Sequence, residues 1–566
     1  MDVAQGPMGR KLFVRQSSGL VREVSVANAL FFNTAAFVGV GVTLYPLFYS
    51  LAFLPVGVAG FFTTYGWAAI IVGAACIILG LIFASLTSVM PRSGGDYVFT
   101  SRFIPKAGPF IAWLESFTLV FASLAIIAFE VPLVLRNLQV TGRIVGIGTS
   151  SSFFQKANHW FASGGVITSW PGLLGSLLVI AVIVWVVLQP TRRLHRIVTG
   201  LGVLALGAAV LMFVFGLAFV HRAAFEANLP KYAGTTAAAL AKAAATNGVR
   251  GHGIDFHLSA FAFFMSIVLF NYIGFQYSAY IAGEVRGNIK RSVILAVIGA
   301  LVIAIAMNSV YIDVLSRRLG LTSNLGWGIQ FWLGAPGLPM GQPNSMPLMA
   351  AIARPGLWPI WTIVSLGGML FPFLLCPVYI NFISRIELAW SLDRQVPEWF
   401  GKVNERLRAP INAIITCLIV VVILMFLQNF PLLPHGLTSD GSGKLNLAGT
   451  AWFSILLALL TWVMPGVNAL VAPLSRKDLI RSAPWRTWLP VFGAIWLIFS
   501  ATVYWFAGIK PIIQSSKNGL SFFNQSGISF AIGIAVVAVL VYVIQAVRNR
   551  RAGVDLAMLY QEIPPD

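Results

Sequence analysis

Apolar residues along this chain run on in blocks: twelve stretches each approach or exceed the ~20 residues that cross a bilayer's hydrocarbon. They lie at about 27–53, 64–90, 109–136, 172–189, 196–220, 258–282, 292–315, 357–383, 410–429, 449–473, 488–508 and 527–547. A backbone in oil must satisfy its polar groups within its own segment, so each stretch is predicted as a helix and the chain as an all-α membrane protein. The polar segments between them are of unequal length. Residues 222–257 and 316–356 are the long ones, rich in Ala, Gly, Pro and Asn, and 237–245 (AAALAKAAA) is itself helix-prone. Loops of that length act as gates or as surface decoration, and decoration is the reading adopted for them.

Two of the twelve stretches are badly made helices. The first carries FVGVGVTLYP at 37–46 and the sixth FNYIGFQYS at 270–278. Glycine costs a helix roughly 1 kcal/mol relative to alanine and an interior proline ~3 kcal/mol. In lipid the broken backbone is tolerated only where protein, ion or ligand completes its hydrogen bonds. Glycine also serves close helix packing, but interruptions in the first helices of two halves are what an inverted-repeat transporter needs, since each half-helix then aims its terminus at a midplane site. On this reading the amides of Gly39, Val40 and Gly41 cradle a carboxylate at a helix N-terminus. Carbonyls around Phe270, Asn271, Ile273 and Gly274 attract an ammonium group. A ligand bearing both groups on one carbon is an α-amino acid.

Composition narrows the class. Hydrophobic residues make up 58% of 566 and charged ones 10%, which a water-soluble surface does not accommodate at this length. The net charge of +20 raises the question of nucleic acid, but no compact basic domain exists to hold it. The charge belongs to a membrane topology instead: with the N-terminus inside, 25 of the 38 Lys and Arg fall on cytoplasmic segments. The basic turns PTRRLHR (190–196), EVRGNIKR (284–291), SRKDLIR (475–481) and RNRR (548–551) then face the cytoplasm, as do both termini. Residues 1–25 lack the short apolar core and cleavage site of a signal peptide and read as a cytoplasmic tail.

Other chemistries find few supports. Cys76, Cys376 and Cys417 lie in apolar stretches and read as small core residues. The six histidines sit in loops or at span boundaries, with no H-E-x-x-H and no Walker-type phosphate loop, so neither a metal, a cofactor nor direct ATP drive is expected. A membrane-embedded hydrolase or receptor would need a nucleophile, metal or acid pair within the spans, and none is evident.

Four motifs in order then resemble one family. The first stretch meets G-x-x-G-[ST]-G-I-x-x-x-P at Gly39, Gly41 and Pro46, with Ala36 for the leading glycine and Val40 for the small polar residue. MPRSGGDYVFTSR (90–102) is similar to P-x-x-G-G-x-Y at Pro91, Gly94, Gly95 and Tyr97. The sixth stretch looks like F-x-Y-x-G-F followed by A-x-E-x-[KR], at Phe270, Tyr272, Gly274, Phe275, Glu284 and Arg286. SRIELAWSLDRQVPEWF (384–400) is similar to R-x-x-x-A-x-x-x-D-x-x-x-P at Arg385, Ala389, Asp393 and Pro397. Together they resemble the amino acid-polyamine-organocation family of secondary transporters, with the leucine-transporter-type fold.

That resemblance implies twelve transmembrane helices: a 5+5 inverted-repeat core, first repeat 26–220 and second 258–473, and two further helices in 474–548. The external loop 221–257 separates the repeats, 316–356 interrupts the second, and 549–566 is a cytoplasmic tail. It implies an amino acid permease of the cell membrane working by alternating access, with a polyamine or other organic-cation carrier as the alternative. Phe275 is a gate candidate by position, and Glu284 one through an ion pair next to Arg286. For coupling, the intramembrane acids Glu115 and Glu130 are candidates, and a sodium site would draw on Thr362 or Ser365. No lysine stands in 196–220, where some members replace the metal by an ammonium. Proton, sodium and ion-free exchange all stay open.

Overall fold

Long apolar runs leave the backbone only itself to bond to, and the chain folds accordingly as a bundle of long helices. The computed structural model describes residues 20–36, 58–157, 160–163, 166–246, 261, 265, 268–269, 271–332, 345–434, 443–445, 447–510, 513, 526–554 and 560. In chain order the principal helices are α1 (Val26–Ala36), α2 (Thr64–Val89), α3 (Asp96–Phe103), α4 (Gly108–Thr149), α5 (Trp170–Val187), α6 (Thr191–Phe219), α7 (Arg222–Ala233) and α8 (Ala237–Thr246). There follow α9 (Ile289–Ile305), α10 (Leu321–Trp332), α11 (Met346–Ala353), α12 (Trp358–Leu392), α13 (Ile411–Asn429), α14 (Leu447–Ser475), α15 (Leu489–Tyr504) and α16 (Ser526–Arg551). Among the described residues three two-residue antiparallel ladders, such as Val58–Ala59 with Phe62–Thr63, only close turns. Among the described residues eight helices are long and apolar enough to cross a membrane.

Two helices outrun their apolar windows. Hydropathy stops near Arg136, yet α4 continues to Thr149. Its polar residues face protein instead of lipid: Gln139 donates to the Ala162 carbonyl (2.8 Å) and accepts from the Ala162 amide (2.7 Å), and the Thr141 and Ser365 hydroxyls share a hydrogen bond of 2.8 Å. Helix α12 likewise runs past 383 to Leu392, through the buried Arg385. The two helices pack along each other and form the spine of the molecule.

The stretches 222–257 and 316–356 contribute packed helices, α7, α8, α10 and α11. A Cβ placed on Gly326 would stand 1.9 Å from the Leu240 carbonyl oxygen, so α10 and α8 touch backbone to backbone there. Asn228 of α7 donates to the Ile352 carbonyl of α11 (2.9 Å), and Phe225, Leu229, Leu240, Leu325 and Trp327 are buried between these helices and the bundle. At the opposite end of the bundle the basic turns gather. Lys290 bonds the Ser482 carbonyl (2.6 Å), Ser475 bonds the Phe103 carbonyl (2.7 Å), and Asn549 bonds the Arg394 carbonyl (2.9 Å).

Candidate functional site

Between residues 271 and 285 the sixth apolar stretch gives up α-helical geometry. The amides of Asn271 and Tyr272 bond three residues back, to Val268 (2.9 Å) and Leu269 (3.0 Å), and 3-10 turns follow at Tyr277–Ala279 and Ala282–Glu284. Gly274 stands at φ +115°, which side chains rarely adopt, and a Cβ there would lie 2.7 Å from the Cβ of Ala36. Ala36 belongs to α1, so the first helix presses directly on the unwound segment. The pair is fixed a second time. The Ser278 amide donates to Asn33 Oδ1 (2.7 Å), and Asn33 Nδ2 donates to Ser278 Oγ (3.0 Å), all buried. Leaving a buried amide without its acceptor costs about 1–3 kcal/mol. Asn33→Ala is therefore expected to lower the apparent melting temperature measurably, while Ala at the exposed Glu405 should not; equal shifts would deny the clamp.

Asn271, expected near an ammonium group, has its amide engaged. It donates to Tyr65 Oη (2.9 Å) and to Asn308 Oδ1 (3.2 Å), and Tyr65 in turn donates to Asn308 Oδ1 (2.8 Å). Asn308 reaches this position from a π-helical turn, Ala306–Ile312, that continues α9; such bulges re-aim side chains and recur at functional sites. Ile273 is buried with it. Gln276 was not singled out in the sequence. It is fully buried, and neither of its amide atoms has a hydrogen-bond partner among the described residues, which suits a group kept for a polar ligand. Its signal was available: a glutamine inside an apolar stretch next to glycine. Gly39, Val40, Gly41 and Phe270 lie outside the described residues.

Phe275 meets Phe83 of α2 edge-on (ring centroids 6.4 Å apart) and Trp462 of α14 (5.8 Å). Glu284 is in a buried ion pair, but its partner is not the adjacent Arg286. Arg385 of α12 donates through Nε to Oε1 (2.7 Å) and through Nη2 to Oε2 (3.0 Å), with both side chains at most 1% exposed. The Arg286 amide instead bonds the Val24 carbonyl (3.0 Å), and the Val24 amide bonds the Glu284 carbonyl (2.9 Å). The lead-in to α1 is thus stitched to the end of the sixth stretch. The PRSGGDY loop joins the same seam, with the Gly94 amide on the Tyr280 carbonyl (3.0 Å) and a bridge between Ser93 and Ile281.

Beside this seam Arg102 of α3 grips Asp393 with two bonds of 2.7 Å, and Tyr97 donates to the same carboxylate (2.9 Å). Tyr560, from the far end of the chain, lies with its ring 5.1 Å from the Arg102 guanidinium, and its hydroxyl accepts from Gln395.

Of the coupling candidates, Glu115 is buried near the basic end of α4, facing Asp96. Glu130 lies deeper in α4, within electrostatic range of Arg136 and near Cys376 and Tyr379 of α12. Ser365 is bonded to Thr141 (2.8 Å), and the Thr362 hydroxyl is buried without a partner; among the described residues neither is bonded to α1.

A bundle of helices long and apolar enough to cross a membrane, with one apolar segment unwound and packed against α1, is the architecture of a multi-pass membrane protein. The particular family follows from the whole chain: it belongs to the amino acid permeases, whose profile matches residues 26–537. A search of curated proteins finds no match to it. Members of that family carry amino acids across membranes.

Proposed function

We propose that the protein is a secondary active amino acid transporter working by alternating access, built on twelve spans with a 5+5 core and two additional helices, both termini cytoplasmic. The observation that carries this is the unwound segment 271–285 held against α1 by Gly274 and the Asn33–Ser278 bonds. A segment whose backbone is not closed on itself can offer dipoles to a zwitterion midway through the bilayer. In this reading Gly39, Val40 and Gly41 supply amides to the carboxylate. Carbonyls near Phe270, Ile273 and Gly274 hold the ammonium, and Gln276 meets the side chain. The pair Glu284–Arg385 and the ring of Phe275 close the cytoplasmic side.

The test is thermal stabilisation of the purified protein across amino acids, amines and sugars, followed by counterflow in proteoliposomes. A ligand at 100 times its Kd stabilises by about 2.7 kcal/mol, enough to move the melting temperature visibly. Stabilisation by polyamines and by no amino acid would favour the organic-cation reading, for which Glu130 is the acid at hand. At position 41 a leucine side chain would fill the carboxylate's place. Gly41→Leu is expected to insert and fold yet show no counterflow, and normal counterflow would remove the cradle.

A further inference from the structure

The PRSGGDY stretch carries, just before its tyrosine, an acid that the family motif leaves variable, and the fold gives it a neighbour. Asp96, the first residue of α3, is fully buried and stands within hydrogen-bonding reach of Glu115 on α4, itself 5% exposed. Asp96 Oδ1 accepts from the Tyr97 amide (2.9 Å). Asp96 Oδ2 and both oxygens of Glu115 are buried with no donor from protein among the described residues. No lysine, arginine or histidine is bonded to either carboxyl there: Arg102 is taken by Asp393 and Arg385 by Glu284.

Two carboxylates in contact without a cation cannot both stay ionised, because like charges in a medium of low dielectric repel strongly. A proton between them removes the repulsion and supplies the missing donor in one act. A second observation points to the same ligand. Tyr280 reaches the pair from the unwound segment; its side chain is fully buried and its hydroxyl, directed at Asp96, is without a hydrogen-bond partner among the described residues. Tyr277 faces Asp96 from the same segment at longer range. Thr100 faces Glu115 from α3 and is itself held by Asn468 of α14 (2.9 Å). The pair therefore lies where the scaffold helices α3, α4 and α14 meet the segment proposed to move.

Resting on the transporter reading above, we propose that Asp96 and Glu115 share one proton while this end of the bundle is closed and release it to water when the segment carrying Tyr280 withdraws. The step is one proton binding one carboxylate of the pair, giving a carboxyl hydrogen-bonded to its ionised neighbour. Opening reverses it. Burial raises the Asp96 carboxyl to about 6 against the lowering effect of its neighbours' hydrogen bonds. A group raised in the closed form favours that form at low pH and loses the effect as pH rises through its closed value. Acid thus holds this end shut. The two groups titrate as a unit.

The proton has two sources to be told apart, the external solution by way of the substrate site or the cytoplasm alone. Infrared spectroscopy of the full chain in liposomes reads the bound proton directly, as the carbonyl band of a protonated carboxyl. The band is expected in the wild type at pH 5 and reduced in both Asp96→Asn and Glu115→Gln. Its persistence unchanged in both variants, or its absence from the wild type, would overturn the proposal. Melting curves of the two variants confirm that they fold.

Transport identifies the source, using a labelled mixture of protein amino acids. If the proton comes from outside, acid outside drives uptake, and each variant lowers the ratio of proton-driven uptake to counterflow by roughly tenfold, the equivalent of one pKa unit. If it comes from the cytoplasm, acid inside slows wild-type counterflow and the variants lose that response. A wild type whose counterflow ignores pH on both sides contradicts the proposal. Absence of counterflow altogether, with the infrared band present, counts against the transporter reading instead.

Discussion

Gly274→Val should abolish transport and strongly destabilise the protein. Two effects coincide at this position. A β-branched residue at φ +115° is held in a backbone region that costs about 1–3 kcal/mol. Its Cβ would also lie 2.7 Å from Ala36 Cβ and 2.8 Å from the carbonyl carbon and oxygen of that residue, so α1 would have to shift, with overpacking adding about 1–3 kcal/mol. Gly287 separates the two. It has φ +85° but open space around its missing Cβ. Gly287→Ala is expected to show strain alone and Gly274→Ala strain plus collision. Melting temperatures of the two alanine variants, read beside counterflow, decide the matter: equal losses would mean that contact with α1 contributes nothing.

Breaking the Glu284–Arg385 pair is the second large effect. With both side chains out of water, removing one partner strands a buried charge, at a cost of about 3–5 kcal/mol. Either Glu284→Ala or Arg385→Ala should therefore melt at much lower temperature. Replacing both with leucine removes the stranded charge and should recover most of the stability. Transport should not recover with it, since the proposed alternating access parts and re-forms this pair, and leucine packing either holds or slips. A double variant with full stability and normal counterflow would make the pair a structural rivet and nothing more.

How much of this was legible beforehand depends on what each residue faces. Windows such as 172–189 and 410–429 match α5 and α13 closely, because lipid-facing helices write their surroundings into their hydropathy. The break in the sixth stretch was legible through Gly274 and Asn271, as residues costly to a helix in oil. The extensions of α4 and α12 were not, since Arg136 and Arg385 look like span ends until protein is seen to surround them. Residues 96–102 read as loop, yet fold as α3 because its polar face is buried against other parts of the chain. The partner of Glu284 was missed for the same reason: Arg286 was the nearest cation in sequence, and Arg385 is the nearest in space. Spacing along a chain carries helical neighbours well and distant partners not at all.

The cluster around Arg102 has a meaning for how the protein is made. Its carboxylate partner is 291 residues further along, and the ring over it comes later still, at Tyr560. On the ribosome, then, the guanidinium must wait in water while helix after helix is inserted, until Asp393 has been made and can draw it inside. A chain stalled before residue 393 would leave that charge without the carboxylate that neutralises it.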